Sequence, residues 1–135
     1  MNGVGAPLTA PRRPPAVLLV GHGSRRAEAG ETLQAIAGMV ARKGCYAGVE
    51  ISFLDGAPSV AAGVERCARL GARDVVVIPY FLFAGTHVLE TLPALVEEAG
   101  RRHPELRLRL GEPLGAHGKL AEIVGERIDA VLGSL

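Results

Sequence analysis

The feature that most constrains the fold is the segment at residues 17–26, which reads VLLVGHGSRR. It begins as an uninterrupted apolar run and ends in a histidine between two glycines, followed by a serine and two arginines. An apolar run without alternation is typical of a strand that is covered on both faces of a parallel sheet. A polar turn between such a strand and a helix lies at the carboxyl edge of the sheet, where ligands bind. The segment therefore predicts both a fold class and a candidate site.

The rest of the chain alternates strand and helix patterns in the same way. We predict strands over residues 16–20, 48–54, 74–79 and 106–110, and helices over residues 27–42, 60–70, from 88 onward with Pro93 in its first turn, and 119–132. Arg107 and Arg109 interrupt the fourth strand, which indicates a sheet edge. Short links and right-handed crossovers then predict an α/β fold with three layers: a four-stranded parallel sheet in the order 2-1-3-4, flanked by helices.

Composition indicates one compact domain over residues 16–135, because 48% of the 135 residues are hydrophobic and 21% are charged. The proline-rich residues 1–15 predict a disordered lead-in. A net charge of +1 and 4% aromatic residues argue against a nucleic-acid surface. There is neither a signal-peptide pattern nor an apolar run of about 20 residues, so we expect a soluble cytoplasmic protein without a membrane segment. Cys45 and Cys67 form no CxxC pattern, and we expect two buried free thiols.

Each predicted strand is followed by one residue that can titrate or bind a metal. These residues are His22, Asp55, His87 and His117, in the order of the strands. Because the carboxyl ends of parallel strands meet at one edge, we expect these side chains to converge there. Neutral imidazoles are good ligands for divalent first-row metals, and two or three beside an open position are typical of a catalytic or transfer site. His103 is instead expected at a solvated helix end.

The surroundings of His22 and His87 suit a large ligand that carries carboxylates. Ser24 can cap the following helix, and Arg25 and Arg26 can donate hydrogen bonds to anions. Residues 80–84 read YFLFA and carry no charge. This loop either continues the core or offers a flat apolar surface to a planar ligand.

Four stretches resemble the short CbiX-type sirohydrochlorin chelatases of the class II chelatase superfamily. They are LLVGHGSR at residues 18–25, FLDGAPS at 53–59, GARDVVVIPYFLFAGTHV at 71–88 and EPLGAHGKL at 112–120. The resemblance implies a lyase, a cobaltochelatase or ferrochelatase that inserts Co²⁺ or Fe²⁺ into sirohydrochlorin in cobalamin or siroheme biosynthesis. It further implies a divalent metal (Co²⁺, Fe²⁺ or Ni²⁺) as substrate, no organic cofactor, and a homodimer.

The resemblance also implies roles for individual residues. His22 and His87 correspond to the catalytic residues and metal ligands, and we add His117 as a candidate third ligand. The implied substrate contacts are Ser24, Arg25, Asp55, Leu82, Phe83, Ala84, Gly85, Thr86 and His87. The segment FLDGAPS carries a single acid, Asp55, where family members commonly have two.

Two other functions fit part of the pattern. A non-catalytic carrier of a metal or tetrapyrrole on the same fold would keep the same ligands. A histidine-dependent phosphate-transfer enzyme would use His22, Arg25 and Arg26, but it leaves the apolar loop before His87 without a role.

Overall fold

The computed structural model describes residues 13–23, 27–83 and 85–133, and of His87 only the backbone. Strands and helices alternate: β1 (Ala16–Gly21), α1 (Ala27–Lys43), β2 (Gly48–Phe53), α2 (Val60–Arg69), β3 (Asp74–Pro79), α3 (Thr86–Arg102), β4 (Arg107–Leu110) and α4 (Gly118–Leu132). The predicted boundaries lie within two residues of these. Most of the predicted lead-in, residues 1–12, lies outside the described residues, as do Ser24, Arg25, Arg26 and Ala84.

The four strands form one parallel sheet in the order β2-β1-β3-β4, as predicted. All six residues of β1 are buried, which explains its uninterrupted apolar sequence. The strand β4 lies at an edge and is mostly exposed. Its Arg107 Nε lies 2.7 Å from Asp74 Oδ1 on β3. A charged edge strand resists further strand pairing, so this side of the sheet is closed to extension.

Two apolar cores lie on opposite faces of the sheet. Alternate residues of β1 point into each, since successive strand side chains face opposite sides. The first core packs β1 and β3 against α2 and α3, and its largest buried members include Leu18, Val20, Val64, Val75, Val77 and Leu92. The second core packs β1 and β2 against α1, through Val17, Leu19, Leu33, Ala37, Ile51 and Phe53.

The helix α2 is fixed tightly to the sheet. Ser59 caps it, as predicted, by accepting a hydrogen bond from the Ala62 N–H at 3.1 Å. Ser52, fully buried on β2, donates its hydroxyl to the Ser59 carbonyl at 2.8 Å. A Cβ on Gly63 would lie only 2.0 Å from Ser52 Oγ. The absence of a side chain at Gly63 therefore allows α2 to approach β2 this closely.

The helix α4 differs from the other three, because none of its residues is buried. Its sequence carries the predicted amphipathic stripe, but the large apolar side chains of that stripe are exposed, namely Ile123, Val124, Ile128, Val131 and Leu132. No helix in the described part of the chain has the length and apolar character needed to cross a membrane.

Two smaller expectations are wrong. Pro93 lies inside α3 and not in its first turn, because the helix begins at Thr86, directly after its N-cap Gly85. Its missing N–H removes the bond to the carbonyl of the residue four positions earlier. Cys45 is exposed and not buried, because it follows the end of α1 in the turn leading to β2, whereas Cys67 is buried as expected.

Candidate functional site

The carboxyl end of β1 is joined closely to the end of β2. The Leu54 N–H donates to the Gly21 carbonyl and the Asp55 N–H donates to the His22 carbonyl, both at 3.0 Å. Gly23 has a φ of 129°, and a Cβ there would lie 2.1 Å from the Asp55 carbonyl oxygen. Only glycine fits this position, so the turn places His22 directly beside the β2 end.

The His22 side chain is exposed at this edge and lies next to the loop that follows β3. Its ring centroid is 6.5 Å from that of Phe81, with the planes at 72° in an edge-to-face arrangement. The Tyr80 N–H donates to the Val20 carbonyl at 2.7 Å, which continues the β1–β3 pairing into the loop. The ends of β1, β2 and β3 thus meet at His22, as the topology predicts.

A cavity of about 430 Å³ opens beside His22. Phe53, Tyr80 and Leu33 form apolar walls, while Glu28 and Thr32 reach it from the first turns of α1. Glu28 and Thr32 were not predicted as site residues. Both lie in the helix that directly follows the histidine turn, and the first turns of such a helix lie at the ligand edge, so their position in the sequence could have indicated them.

The loop after β3 presents apolar side chains to solvent. Leu82 is 50% exposed and Phe83 is 82% exposed. The loop divides between the two interpretations: Tyr80 and Phe81 pack against the two cores and continue them, whereas Leu82 and Phe83 do not. Large exposed apolar groups are typical of a ligand or partner surface.

The backbone at His87 is helical. The sequence pattern had suggested that His87 lies in the loop after β3, and this expectation is wrong. Gly85, which is exposed, is the N-cap of α3, Thr86 is its first residue, and His87 is its second. The helix begins this early because Gly85 adopts the extended conformation of an N-cap, with φ −75° and ψ 172°. His87 therefore lies in the first turn of a helix, six residues after Phe81, at the same sheet edge.

His117 is the N-cap of α4. Its Nδ1 accepts a hydrogen bond from the Lys119 N–H at 3.0 Å. The preceding loop joins the ligand edge, since the Leu114 N–H donates to the Phe81 carbonyl at 3.0 Å and the Gly115 N–H to the Leu82 carbonyl at 2.8 Å. With Nδ1 occupied as an acceptor, the neutral ring carries its proton on Nε2. A metal bound to this ring would therefore compete with the cap.

His103 lies elsewhere. It is the C-cap of α3, and its Nδ1 is 3.5 Å from Glu105 Oε2. This places it before β4, at the amino edge of the sheet and far from the histidine turn, in agreement with its predicted position at a helix end. His103 therefore serves as a control for the other histidines.

Asp55 follows β2 and is exposed, with its backbone bonded to His22. Among residues 13–23, 27–83 and 85–133, leaving aside the His87 ring, no three side chains of His, Cys, Asp or Glu form a group that could hold a metal. The predicted contacts Ser24, Arg25 and Ala84 lie outside the described residues. The described part of the candidate site thus holds the exposed His22, Asp55 bonded to it through the backbone, Glu28 at the cavity, and the loop that leads to His87.

This arrangement agrees with a family comparison: the CbiX family model matches residues 16–131. The chain belongs to the CbiX family. That match includes His22, Asp55, His87 and His117, and it confirms the resemblance that the sequence motifs indicated.

Named relatives of this CbiX chain are chelatases. It is 36% identical to a sirohydrochlorin cobaltochelatase of Priestia megaterium, over 93% of this chain and 41% of that protein. It is 32% identical to one from Methanopyrus kandleri, over 87% and 97%. It superposes on the sirohydrochlorin chelatase SirB from Bacillus subtilis subspecies spizizenii in complex with cobalt with a TM-score of 0.79 and 29% identity, covering 87% of this chain and 51% of SirB. The chain thus spans about half the length of several relatives and nearly all of others.

Proposed function

We propose that this CbiX chain is a sirohydrochlorin chelatase, a lyase that inserts Co²⁺ or Fe²⁺ into the tetrapyrrole without an organic cofactor. The position of His22 carries the proposal. It stands at the carboxyl end of β1, in a turn that only glycines permit, beside a cavity and an exposed apolar loop. The names of the relatives support the same reaction.

Metal insertion needs a ligand for the metal and an acceptor for protons. The metal replaces two pyrrole N–H protons, so both must leave the macrocycle as the metal–nitrogen bonds form. Imidazole can bind a divalent metal or accept a proton near neutral pH. We assign metal binding to both His22 and His87, and proton uptake to one or both of them. Glu28 lines the cavity beside His22 and is a further group that could receive a proton there.

The apolar loop would hold the macrocycle. Leu82 and Phe83 expose their side chains beside the site, and the loop runs on through Gly85 and Thr86 to His87. A planar ring system gains free energy by covering such groups, at about 25 cal/mol per Å² of apolar surface. Ser24 and Arg25 are the predicted contacts for the peripheral carboxylates of sirohydrochlorin, together with the N–H groups at the start of α1. Asp55 would orient the His22 turn through its backbone bond.

We further propose that the chain is one domain over residues 16–135 that acts as a homodimer in the cytoplasm. The comparisons support the dimer, since this chain matches 41% of the Priestia megaterium relative and 97% of the Methanopyrus kandleri one. Relatives of both sizes carry the same chelatase name, so a pair of short units would correspond to one long chain. Cytoplasmic localisation stays a prediction from the sequence pattern.

The deciding experiment is anaerobic mixing of the protein with sirohydrochlorin and Co²⁺, Fe²⁺ or Ni²⁺, followed by absorbance. We expect metal insertion faster than the uncatalysed reaction, and a loss of most activity in His22→Ala and His87→Ala. His103→Ala is the control, since its ring lies at the other sheet edge, and it should retain full activity. No acceleration with any metal would refute the chelatase assignment, and spectral binding without turnover would indicate a carrier.

The role of His117 is tested separately by replacing it with asparagine. Asparagine is a good N-cap residue but a poor ligand for these metals. His117→Asn should keep the stability of α4, whereas a leucine or alanine would cost about 1 kcal/mol. If His117 is a third ligand, the asparagine variant loses activity at unchanged thermal stability. Full activity in that variant would restrict His117 to capping.

A further inference from the structure

An aromatic contact holds the ring of His22. The ring centroid lies 6.5 Å from that of Phe81, and the two planes meet at 72°. In this arrangement the electropositive edge of one ring faces the electronegative face of the other, which is favourable. No hydrogen bond or ion pair reaches the imidazole from residues 13–23, 27–83 and 85–133, leaving aside the His87 side chain. Within these ranges, the contact with Phe81 is therefore the interaction that favours one orientation of the His22 ring.

Phe81 can orient another ring because it is itself fixed. Directly before it, the Tyr80 N–H donates to the Val20 carbonyl at 2.7 Å, and its own carbonyl accepts the Leu114 N–H at 3.0 Å. Its side chain is partly buried and packs against the first core. The two residues that follow are at least half exposed. Phe81 is thus the last side chain of the loop that the core holds in place.

Phe81 also connects His22 to the start of α3. It lines a groove of about 220 Å³ together with Val88 and Leu92 of that helix. Both of these side chains are buried, and Leu92 belongs to the first core. Val88 directly follows His87 in the chain. The same packed unit therefore positions the His22 ring and the helical turn that carries His87.

The orientation of a metal-binding imidazole matters because a ring nitrogen must point its lone pair at the metal. Histidine ligands are usually oriented by a hydrogen bond from the second ring nitrogen to a carboxylate or a carbonyl. A side chain that is free to rotate loses that freedom on binding, which weakens the complex. An aromatic neighbour on a rigid segment restricts the rotation before the metal arrives, so that less freedom is lost.

We propose that Phe81 is a positioning residue of the metal site and that it acts through His22. Its ring keeps the imidazole in the orientation in which a ring nitrogen faces the incoming metal. This inference rests on the chelatase function proposed above, and it adds a residue that belongs neither to the ligands nor to the substrate contacts. The phenyl ring itself needs no contact with the metal or with the tetrapyrrole.

Two other roles for Phe81 give different results when the residue is replaced. A purely structural residue would lower Tm and leave the rate of the folded protein unchanged. A residue that covers the macrocycle would raise KM for the tetrapyrrole, as expected for Phe83. A positioning residue instead lowers kcat and the affinity for the metal alone, with little change in KM for the tetrapyrrole.

Phe81→Leu and Phe81→Tyr are the matched variants. Leucine keeps an apolar side chain against the core but has no aromatic ring, whereas tyrosine keeps the ring. Phe81→Leu should lower kcat for metal insertion and the affinity for Co²⁺ alone by about three- to tenfold each, the range expected for one aromatic pair. Phe81→Tyr should retain both quantities within about twofold. Each variant is measured below its Tm, and a Phe81→Leu protein with natural kcat and Co²⁺ affinity would overturn the inference.

A double-mutant cycle tests whether the effect passes through His22. In a His22→Ala background, Phe81→Leu should cause no further loss of Co²⁺ affinity, because the ring that it orients has been removed. An equal loss in both backgrounds would overturn the assignment of Phe81 to His22.

Nuclear magnetic resonance tests the contact without metal or tetrapyrrole. We expect a nuclear Overhauser effect between the ring protons of His22 and Phe81, and a shift of the His22 Cε1–H signal in Phe81→Leu. The His103 signal is the internal control and should not move, since that ring lies at the other sheet edge. A His22 signal that stays in place after loss of the Phe81 ring would contradict the contact.

The two proposals fail separately. A natural protein that inserts metal, with a Phe81→Leu variant of equal kcat and Co²⁺ affinity, would refute the positioning role and leave the chelatase assignment in place. A natural protein that inserts no metal would refute the chelatase assignment. The Co²⁺ affinities and the His22 signal would still decide about Phe81, because neither measurement needs the tetrapyrrole.

Discussion

Replacing Gly23 by alanine should damage both stability and activity. At φ 129° a side chain is strained, at a cost of about 1–3 kcal/mol. The new Cβ would also lie 2.1 Å from the Asp55 carbonyl oxygen, so the two strand ends must separate. That separation breaks the bond from the Asp55 N–H to the His22 carbonyl, which contributes about 1 kcal/mol. We expect a total loss of about 3 kcal/mol in the free energy of unfolding.

For a domain of this size, about 3 kcal/mol corresponds to a fall of about 12 °C in Tm. Thermal and urea unfolding followed by circular dichroism measure it. Because the separation also displaces His22, the rate of metal insertion should fall on the order of 10²-fold. The rate is measured at a temperature where the variant is folded, so that the two effects are not confused.

Gly30→Ala is the matched control for this substitution. Gly30 lies in α1, and a Cβ there meets nothing within 4 Å. Alanine has the higher helix propensity, so this variant should gain up to about 1 kcal/mol and keep its activity. A Gly23→Ala protein whose Tm stays within about 2 °C of the natural sequence would refute the reasoning, since it would mean that the strand ends separate without cost.

Three further predictions concern packing, thiol chemistry and the apolar loop. Gly63→Ala should lower the free energy of unfolding by about 1–3 kcal/mol in urea titrations, because its Cβ would overlap Ser52 Oγ, and unchanged stability would show that α2 can withdraw freely. Burial raises the pKa of the Cys67 thiol to about 12, so near pH 8 a thiol reagent should label only Cys45, and a second thiol should appear on unfolding; two fast thiols in the folded protein would contradict this. Phe83→Ser should raise KM for the tetrapyrrole and leave Tm unchanged, because the ring is 82% exposed, whereas a lower Tm with unchanged KM would indicate a packing role.

The sheet could be predicted because its strands carry the signal themselves. The apolar run of β1 is buried on both faces, the run of β3 alternates buried and half-buried residues, and the two arginines of β4 mark an edge. Strand order followed from short right-handed connections. The meeting of His22 with the β2 end and the β3 loop followed from the same topology, because parallel strands end together.

What could not be predicted depends on contacts between distant residues or on local backbone geometry. The stripe of α4 indicates which face is apolar, but a periodic pattern carries no information about what covers that face. Glu28 and Thr32 line the cavity together with Phe53 and Tyr80, which are distant from them in the sequence. His117 has two possible uses, a ligand or a cap, and the bond to the Lys119 N–H depends on the conformation of the preceding loop.

Tyr80 lies in the wall of both the cavity beside His22 and a second cavity of about 390 Å³ between α1 and β3. A group that fills the second cavity would pack against one side of the residue that shapes the ligand edge on the other. Filling the second cavity and turnover then become linked quantities. Its lining is apolar except for two tyrosine hydroxyls, so a small apolar molecule such as xenon or benzene could enter it without a polar contact. The effect of such a molecule on the rate of metal insertion would therefore report, without any variant, whether the two cavities communicate.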